Sequence, residues 1–298
     1  MMNLNLGQVI FLALLQGITE LFPISSLGHT VVIPGLLGWG DLVGNERFLP
    51  LITALHLGTA LALVIYFWRD WLQVLRTLWK SVKEGQVQRG TEEWVSWLII
   101  IGSIPTGILG VFLEKPLKQL FASPVIAATF LVVNGSLLFF GEALRRYRTA
   151  QEERRQANKD AKSLLRPLAS LSWKEAVLVG LGQSLALIPG ISRSGASMVA
   201  ALGVRLSHED AARYSFLLGT PIIFAAAVLE IPQLFGLSGS VLLLVFTGMV
   251  LSGLAAYLST KFLLKYFETG NLYPFAVYCW IAGLVGLVLL FFVLHTAA

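Results

Sequence analysis

In the stretch QGITELFPISSLGH, residues 16–29, a carboxylate, two hydroxyls and an imidazole interrupt an otherwise apolar run: Glu20, Ser25, Ser26 and His29. Those types can set a nucleophile beside a base, as group-transfer chemistry requires. A second stretch, LIPGISRSGAS at 187–197, puts Arg193 between Ser192 and Ser194. Arginine's planar fork matches two phosphate oxygens, so this stretch suits an anion. Pro23 precedes Ser25 and Ser26, and Pro189 with Gly190 precedes Ser192 and Ser194. A proline stops one helix and a serine caps the next, which aims free backbone N–H groups into the break, where anions bind. If the two breaks meet, Arg193 and two helix N-termini face Glu20, Ser26 and His29 across one small polar cavity. Quieter readings exist: the serines as caps, and His29 as a helix histidine bonded to a backbone carbonyl. Glu20 and Arg193 resist such readings, because an ionisable group deep in an apolar segment is costly. His56, in LHLGTAL at 55–61, reads as a packing or supporting residue, and His208 and Glu209 read as the start of a helix.

The elements that must position these residues are membrane helices. Of 298 residues, 56% are hydrophobic and 13% charged, with a mean hydropathy of +0.74. This is the composition of an all-α integral membrane protein. Apolar runs at 48–67, 94–113, 123–142, 211–231, 240–262 and 272–294 each approach the roughly 20 residues that cross a bilayer. Two further segments, 4–38 and 174–206, are apolar but broken by Pro, Ser and Gly, and read as re-entrant pairs of half-helices. The N-terminus lacks a basic region and a small-residue cleavage pattern, so no removed signal peptide is expected. The single cysteine, Cys279, excludes an internal disulfide and a multi-cysteine metal site, and reads as packing in the last span.

Basic residues set the orientation. Arg69, Arg76, Lys80, Lys83 and Arg89 lie between the first two spans, and a dense group from Arg145 to Arg166 follows the third. With Lys174, Arg205, Arg213, Lys261 and Lys265 they place eighteen positive charges on one side, against Arg47, Lys115 and Lys118 on the other. The rich side is expected to be cytoplasmic, which leaves the first break open to the outside. Charges in short loops flanking spans are topology signals and anionic-lipid contacts, so the pI near 9.4 does not point to nucleic acid. A shift of 167 residues lays Gln16 on Gln183, Ile24 on Ile191, Ser25 on Ser192, Gly28 on Gly195 and Thr30 on Ser197, and LHLGTAL echoes FLLGTPI at 216–222. An odd number of spans separates the equivalent elements. The expected fold is therefore an inverted-topology repeat of six transmembrane helices and two broken pairs. It forms one domain over 1–298, with halves at 1–145 and 168–298 and a charged linker at 146–167.

QGITELFPISSLGH together with PGISRSGAS resembles the paired signature of the undecaprenyl-diphosphate phosphatases, the bacitracin-resistance family of bacterial membrane enzymes. The resemblance extends over essentially the whole chain, including RYSFLLGTPIIF at 213–224. It implies that Gln16, Glu20, Ser26, His29 and Arg193, with Ser192 and Ser194, form the site; Glu20, Ser26, His29 and Arg193 are then the expected catalytic set, and Arg193, Gln16, Ser192 and Ser194, joined by Ser25, Gly195 and Ser197 at the two capped breaks, are expected to hold phosphate. The implied substrate is a long-chain polyprenyl diphosphate in the bacterial inner membrane, cleaved to the monophosphate carrier at a site facing the periplasm. The first position of the motif is the amide Gln16 rather than a carboxylate. Glu20 alone would then hold a divalent cation, Mg²⁺ or Ca²⁺, together with substrate phosphates and water. Two schemes stay open: Ser26 as nucleophile activated by His29, or His29 acting on water or on phosphorus while Ser26 binds. The resemblance also suggests a homodimer, for which the small residues of GLVG at 283–286 offer a packing face. A transporter of polyprenyl phosphate uses the same architecture but needs no nucleophile, and a purely structural protein leaves Glu20 and Arg193 unexplained.

Overall fold

The computed structural model describes residues 5–45, 47–113, 120, 123–156, 165–234, 236 and 238–296. Among them the regular structure is entirely helical. In order come α1 (Leu6–Thr19), α2 (Ser26–Leu36), α3 (Gly40–Val43), α4 (Phe48–Tyr66), α5 (Trp68–Glu84), α6 (Glu92–Phe112), α7 (Pro124–Gln156), α8 (Trp173–Ser184), α9 (Arg193–Gly203), α10 (His208–Glu230), α11 (Gly239–Phe267) and α12 (Tyr273–Thr296). Six of these, α4, α6, α7, α10, α11 and α12, are long and apolar enough to cross a membrane. The helices of the two pairs α1–α2 and α8–α9, with 14, 11, 12 and 11 residues, reach only roughly 16–21 Å at 1.5 Å per residue, short of a hydrocarbon core of about 30 Å.

Local chemistry fixes both breaks. α1 begins with an Asn5–Gln8 capping box and ends at Thr19, the residue whose carbonyl the ring of Pro23 would otherwise meet. Ser25 starts α2 by accepting from Gly28 N at 3.2 Å, although its own φ of 70° is rare for a residue with a side chain. α8 starts with a Ser172–Glu175 capping box, and a single 3₁₀ turn at Leu185–Leu187 leads to Pro189. Gly190 then turns the chain at φ 101°, where a side chain would run into the carbonyl of Ala127. Ser192 caps α9 through Gly195 N at 3.1 Å.

Each pair is followed by three spans, and the main packing joins one set to the other. α7 lies along α12, α1 and α4 along α11, and α6 along α8, while α9 sits among α7, α8 and α10. Leu21, Leu63, Leu98, Tyr214, Phe216 and Phe267 fill one part of the interior, and Leu12, Leu51, Leu55, Val31 and Leu290 another. Ile104, Ile108, Leu254, Leu258, Ile281 and Leu284 face outward, as suits lipid. Because lipid is as apolar as a leucine core, packing depends on close backbone approach through small residues. At Gly58 even a methyl group would collide with the Met249 carbonyl.

Three sequence expectations change. The basic stretch after the first span is helix α5, with Trp68, Leu72, Leu75, Trp79 and Val82 exposed along one face and Arg69, Arg76, Lys80 and Lys83 around it, an interfacial amphipathic helix. α7 runs on to Gln156, into the segment read as a linker. The GLVG stretch is used inside the chain: Gly283 lies against Ala128 and Val132 and Gly286 faces Val32, so this face is not free for a second copy. Lys115, Lys118, Lys159 and Lys162 lie outside the described residues, as do the side chains of Arg154 and Arg155. Cys279 is buried and reduced, 3.3 Å from Asn134 Nδ2.

Candidate active site

The two breaks meet. Gly28 and Gly190 approach so closely that a β-carbon on Gly28 would touch the Gly190 α-carbon at 3.3 Å. Asn134, buried in the middle of α7, bridges them: its Nδ2 donates to the Pro23 carbonyl at 3.0 Å, and its Oδ1 accepts from Ser192 N at 3.0 Å. The hydroxyls of Ser192 and Ser194 donate to the Phe22 carbonyl at 3.4 and 3.1 Å. One side chain of α7 and two serines thus register one break on the other.

Glu20 is the hub. Its Oε1 accepts from Arg193 Nε and Nη2 at 3.3 and 3.0 Å. Its Oε2 accepts from Gln16 Nε2 at 3.0 Å and Ser26 Oγ at 2.6 Å, and lies 3.1 Å from His56 Nε2. Arg193 Nη1 donates onward to the Ser215 carbonyl at 3.2 Å. The guanidinium has room because residue 219 is glycine; a methyl group there would overlap it. In a low-dielectric interior such a carboxylate needs its partners, and here every partner is a side chain.

Hydrogen-bond accounting separates the two histidines. His29 Nδ1 lies 2.7 Å from the Ser25 carbonyl and Nε2 lies 2.8 Å from the Tyr278 hydroxyl. A carbonyl only accepts, so Nδ1 carries the proton and Nε2 accepts from tyrosine. No nitrogen is left for Ser26, and the expected Ser26–His29 pair is not formed; one helix turn on α2 points the ring toward α12. His56 was read as packing or support. Its Nδ1 is tied to the Ile52 carbonyl at 2.8 Å, which leaves Nε2 facing a carboxylate oxygen. Nε2 and Oε2 stand 3.1 Å apart, the separation of an ion pair whenever the ring is protonated. A lone ionisable residue on an apolar span was the available signal, the same one that exposed Glu20.

These groups open into a cavity of about 260 Å³. Glu20, Ser25, Ser26, Thr53, His56, Thr106, Gln183, Ser192 and Arg193 give its polar wall, and Leu27, Leu49, Ile52, Val111, Ala225, Ala226 and Leu229 are among its apolar lining. Gln16, His29, Ser194, Gly195 and Ser197 stand behind that wall. Ser197 is bound to the Ser215 hydroxyl at 2.6 Å and Gly195 N to its cap, so both support Arg193 from the helix side rather than facing the cavity. Thr53 and Thr106 are polar residues with no signal of their own in the sequence, and Gln183, which the 167-residue shift lays on Gln16, joins the wall beside them. His208 starts α10 as expected, and its Nε2 meets the buried Glu142 of α7 at 2.6 Å, apart from the cavity.

For a divalent cation the donor set is partial. Among the described residues no three His, Cys, Asp or Glu side chains converge. Gln16 Oε1, one turn before Glu20, is buried without a partner. One carboxylate and one free amide oxygen are hard donors that fit Mg²⁺ or Ca²⁺, but only for an ion that brings most of its oxygens with it.

Residues 9–285 match the family model described as bacitracin resistance protein BacA. A protein named undecaprenyl-diphosphatase from Mycolicibacterium paratuberculosis is 44% identical over 303 residues, spanning 96% of this chain and 97% of its own. One named undecaprenyl-diphosphatase 2 from Chromobacterium violaceum is 45% identical over 290 residues, spanning 95% and 98%. Another of that name, from Frankia alni, is 40% identical over 323 residues, spanning 91% and 94%. A match along nearly the full length, through both broken helix pairs and all six spans, means that the chain belongs to the bacitracin-resistance BacA family.

Proposed function

We propose that the protein hydrolyses undecaprenyl diphosphate to undecaprenyl phosphate and orthophosphate, returning the lipid carrier to cell-wall synthesis and conferring bacitracin resistance. The observation that carries this reading is the 2.6 Å hydrogen bond from Ser26 to Glu20, beside Arg193, in a cavity with an apolar flank. A diphosphate on a long prenyl chain needs both kinds of wall. A transporter has no use for a serine hydroxyl aimed at a carboxylate, and the names of the relatives favour the enzyme.

In this reading Ser26 Oγ attacks the terminal phosphorus while Glu20 takes its proton. The anhydride bond breaks, and prenyl phosphate leaves with the bonding pair. Arg193 neutralises charge on the phosphoryl oxygens, with the cap of α9 behind it, and positioning of this kind supplies most of phosphoryl-transfer catalysis. His56 Nε2, 3.1 Å from Glu20 Oε2, helps to hold the carboxylate in place. His29 is tied to the Ser25 carbonyl and the Tyr278 hydroxyl, which favours Ser26 over the scheme in which His29 activates water. A divalent cation held by Glu20 with the diphosphate would add charge neutralisation. Gln16, Ser194, Gly195 and Ser197 act from behind the cavity wall, whereas Ser25 and Ser192 reach it. The eighteen-to-three charge asymmetry supports an inner-membrane protein whose cavity opens to the periplasm, with halves of inverted topology. A homodimer belongs to this reading too, through a face other than GLVG.

The test is orthophosphate release from a long-chain prenyl diphosphate by purified protein, with and without a chelator. Release that a chelator suppresses is the expected result. No release in either condition would favour transport.

A further inference from the structure

Two polar clusters share the cavity wall, and the reaction above uses one. The other joins α6 to α8. Gln183 Nε2 donates to Thr106 Oγ1 at 3.2 Å, and Thr106 Oγ1 lies 3.1 Å from both the Gly180 carbonyl and the Ser184 hydroxyl. Ser184 also donates to the Gly180 carbonyl at 2.9 Å. The amide nitrogen and both hydroxyls therefore find partners inside the cluster. Gln183 Oε1 finds none, although the residue is fully buried and belongs to the wall of the same cavity as Ser26 and Glu20.

A buried amide oxygen without a donor is costly to keep unless its donor comes with the ligand. The reactants narrow the choice. The diphosphate presents acceptor oxygens, and the prenyl chain presents neither donor nor acceptor. Water brings hydrogens. We propose that Gln183, held in place by Thr106, orients the water that hydrolyses the phosphoseryl intermediate; the inference rests on the covalent route through Ser26 proposed above.

The placement suits the step. Ser26 and Glu20 come from the first break, whereas Gln183 comes from α8 on the wall formed with α6. In-line displacement needs the entering oxygen and the leaving oxygen on different sides of phosphorus. The water oxygen bonds phosphorus as the bond from Ser26 Oγ to phosphorus breaks. Ser26 Oγ takes back the proton left on Glu20, the water proton passes to a phosphoryl oxygen, and orthophosphate departs. Gln183 exchanges no proton. Its oxygen accepts one O–H of the water and so turns the water's lone pair toward phosphorus, a role that amide side chains fill in phosphoryl hydrolysis.

Rapid acid quench of purified Gln183→Leu and Gln183→Asn proteins, mixed with a long-chain prenyl diphosphate, tests the assignment. The expected result is a burst of about one prenyl phosphate per chain, phosphoserine accumulating on Ser26, and steady orthophosphate release at least about tenfold slower than in the unsubstituted protein. The burst also demonstrates that the variant is folded and binds substrate. Orthophosphate release at the unsubstituted rate would overturn the proposal. Loss of the burst in both variants would also overturn it, because Gln183 would then serve the first step. Turnover restored by higher Mg²⁺, with no phosphoserine build-up, would overturn it by making the amide oxygen an ion ligand. Turnover that survives Ser26→Ala would remove the covalent route and this inference with it, a result distinguishable because it is read in a different protein.

Discussion

Glu20 gathers Gln16, Ser26, His56 and Arg193 around two oxygens, so a substitution acts according to which oxygen loses its partner. Arg193→Lys keeps the charge but loses the fork, and turnover should fall at least about tenfold, or about 1.4 kcal/mol of barrier. Gly219→Ala should reproduce much of that loss with Arg193 intact, because the added methyl displaces the guanidinium. Steady-state kinetics on both decide it; an undiminished Gly219→Ala enzyme would show that the guanidinium is free to move. Ser26→Ala and Glu20→Gln should each remove most turnover, with the double variant little worse than either. His29→Gln should keep far more activity than Ser26→Ala, and its loss should add to that of other variants. Equal damage at positions 26 and 29 would restore the histidine as base. Glu20, Ser26 and Arg193 were legible in the sequence because charge and hydroxyl stand out in apolar surroundings beside a proline. Asn134 and Thr106 were not, since each is a polar residue on a span whose partners come from elsewhere in the chain, while His56 and Gln183 stood out in the sequence without showing that they share the cavity of Glu20.

At the scale of helices, both breaks are made by a proline, a serine cap and a strained turn, and these parts were visible in sequence. The strain itself was not. Gly190 has φ 101° and no space beyond its α-carbon. Gly190→Ala should therefore cost at least about 1–3 kcal/mol from backbone strain, with further loss from the collision at Ala127. Thermal unfolding in detergent measures it, and an unchanged midpoint would mean that the second break relaxes. Helix α5 went unseen because a window averaged for spans sees its alternating basic and apolar faces as polar. Its apolar face at 68, 72, 75, 79 and 82 has helical spacing and was there to be found.

For the molecule as a whole, α7 runs past its expected end at 142 to Gln156, while the other five of the six spans were read from hydropathy to within about five residues of their observed ends. The partnerships of α1 and α4 with α11, of α6 with α8 and of α7 with α12 were not, because periodicity carries no address for the helix opposite. Sidedness is open to a labelling experiment. Cys279 is buried, and in a Cys279→Ser background a cysteine at the exposed Asp41 should react with an impermeant thiol reagent in intact cells, while one at Lys159 should not. The reverse pattern would invert the protein. Asn134 has a further meaning once the order of synthesis is considered. Pro23 and Asn134 are made before Ser192 exists, so a nascent chain that has inserted only its first spans carries an amide with one end still unmatched inside the bilayer. Arrival of the second break closes that valence. The same side chain that aligns the finished site thus marks every unfinished copy, and a truncated chain should be cleared from the membrane rather than persist as a half-protein.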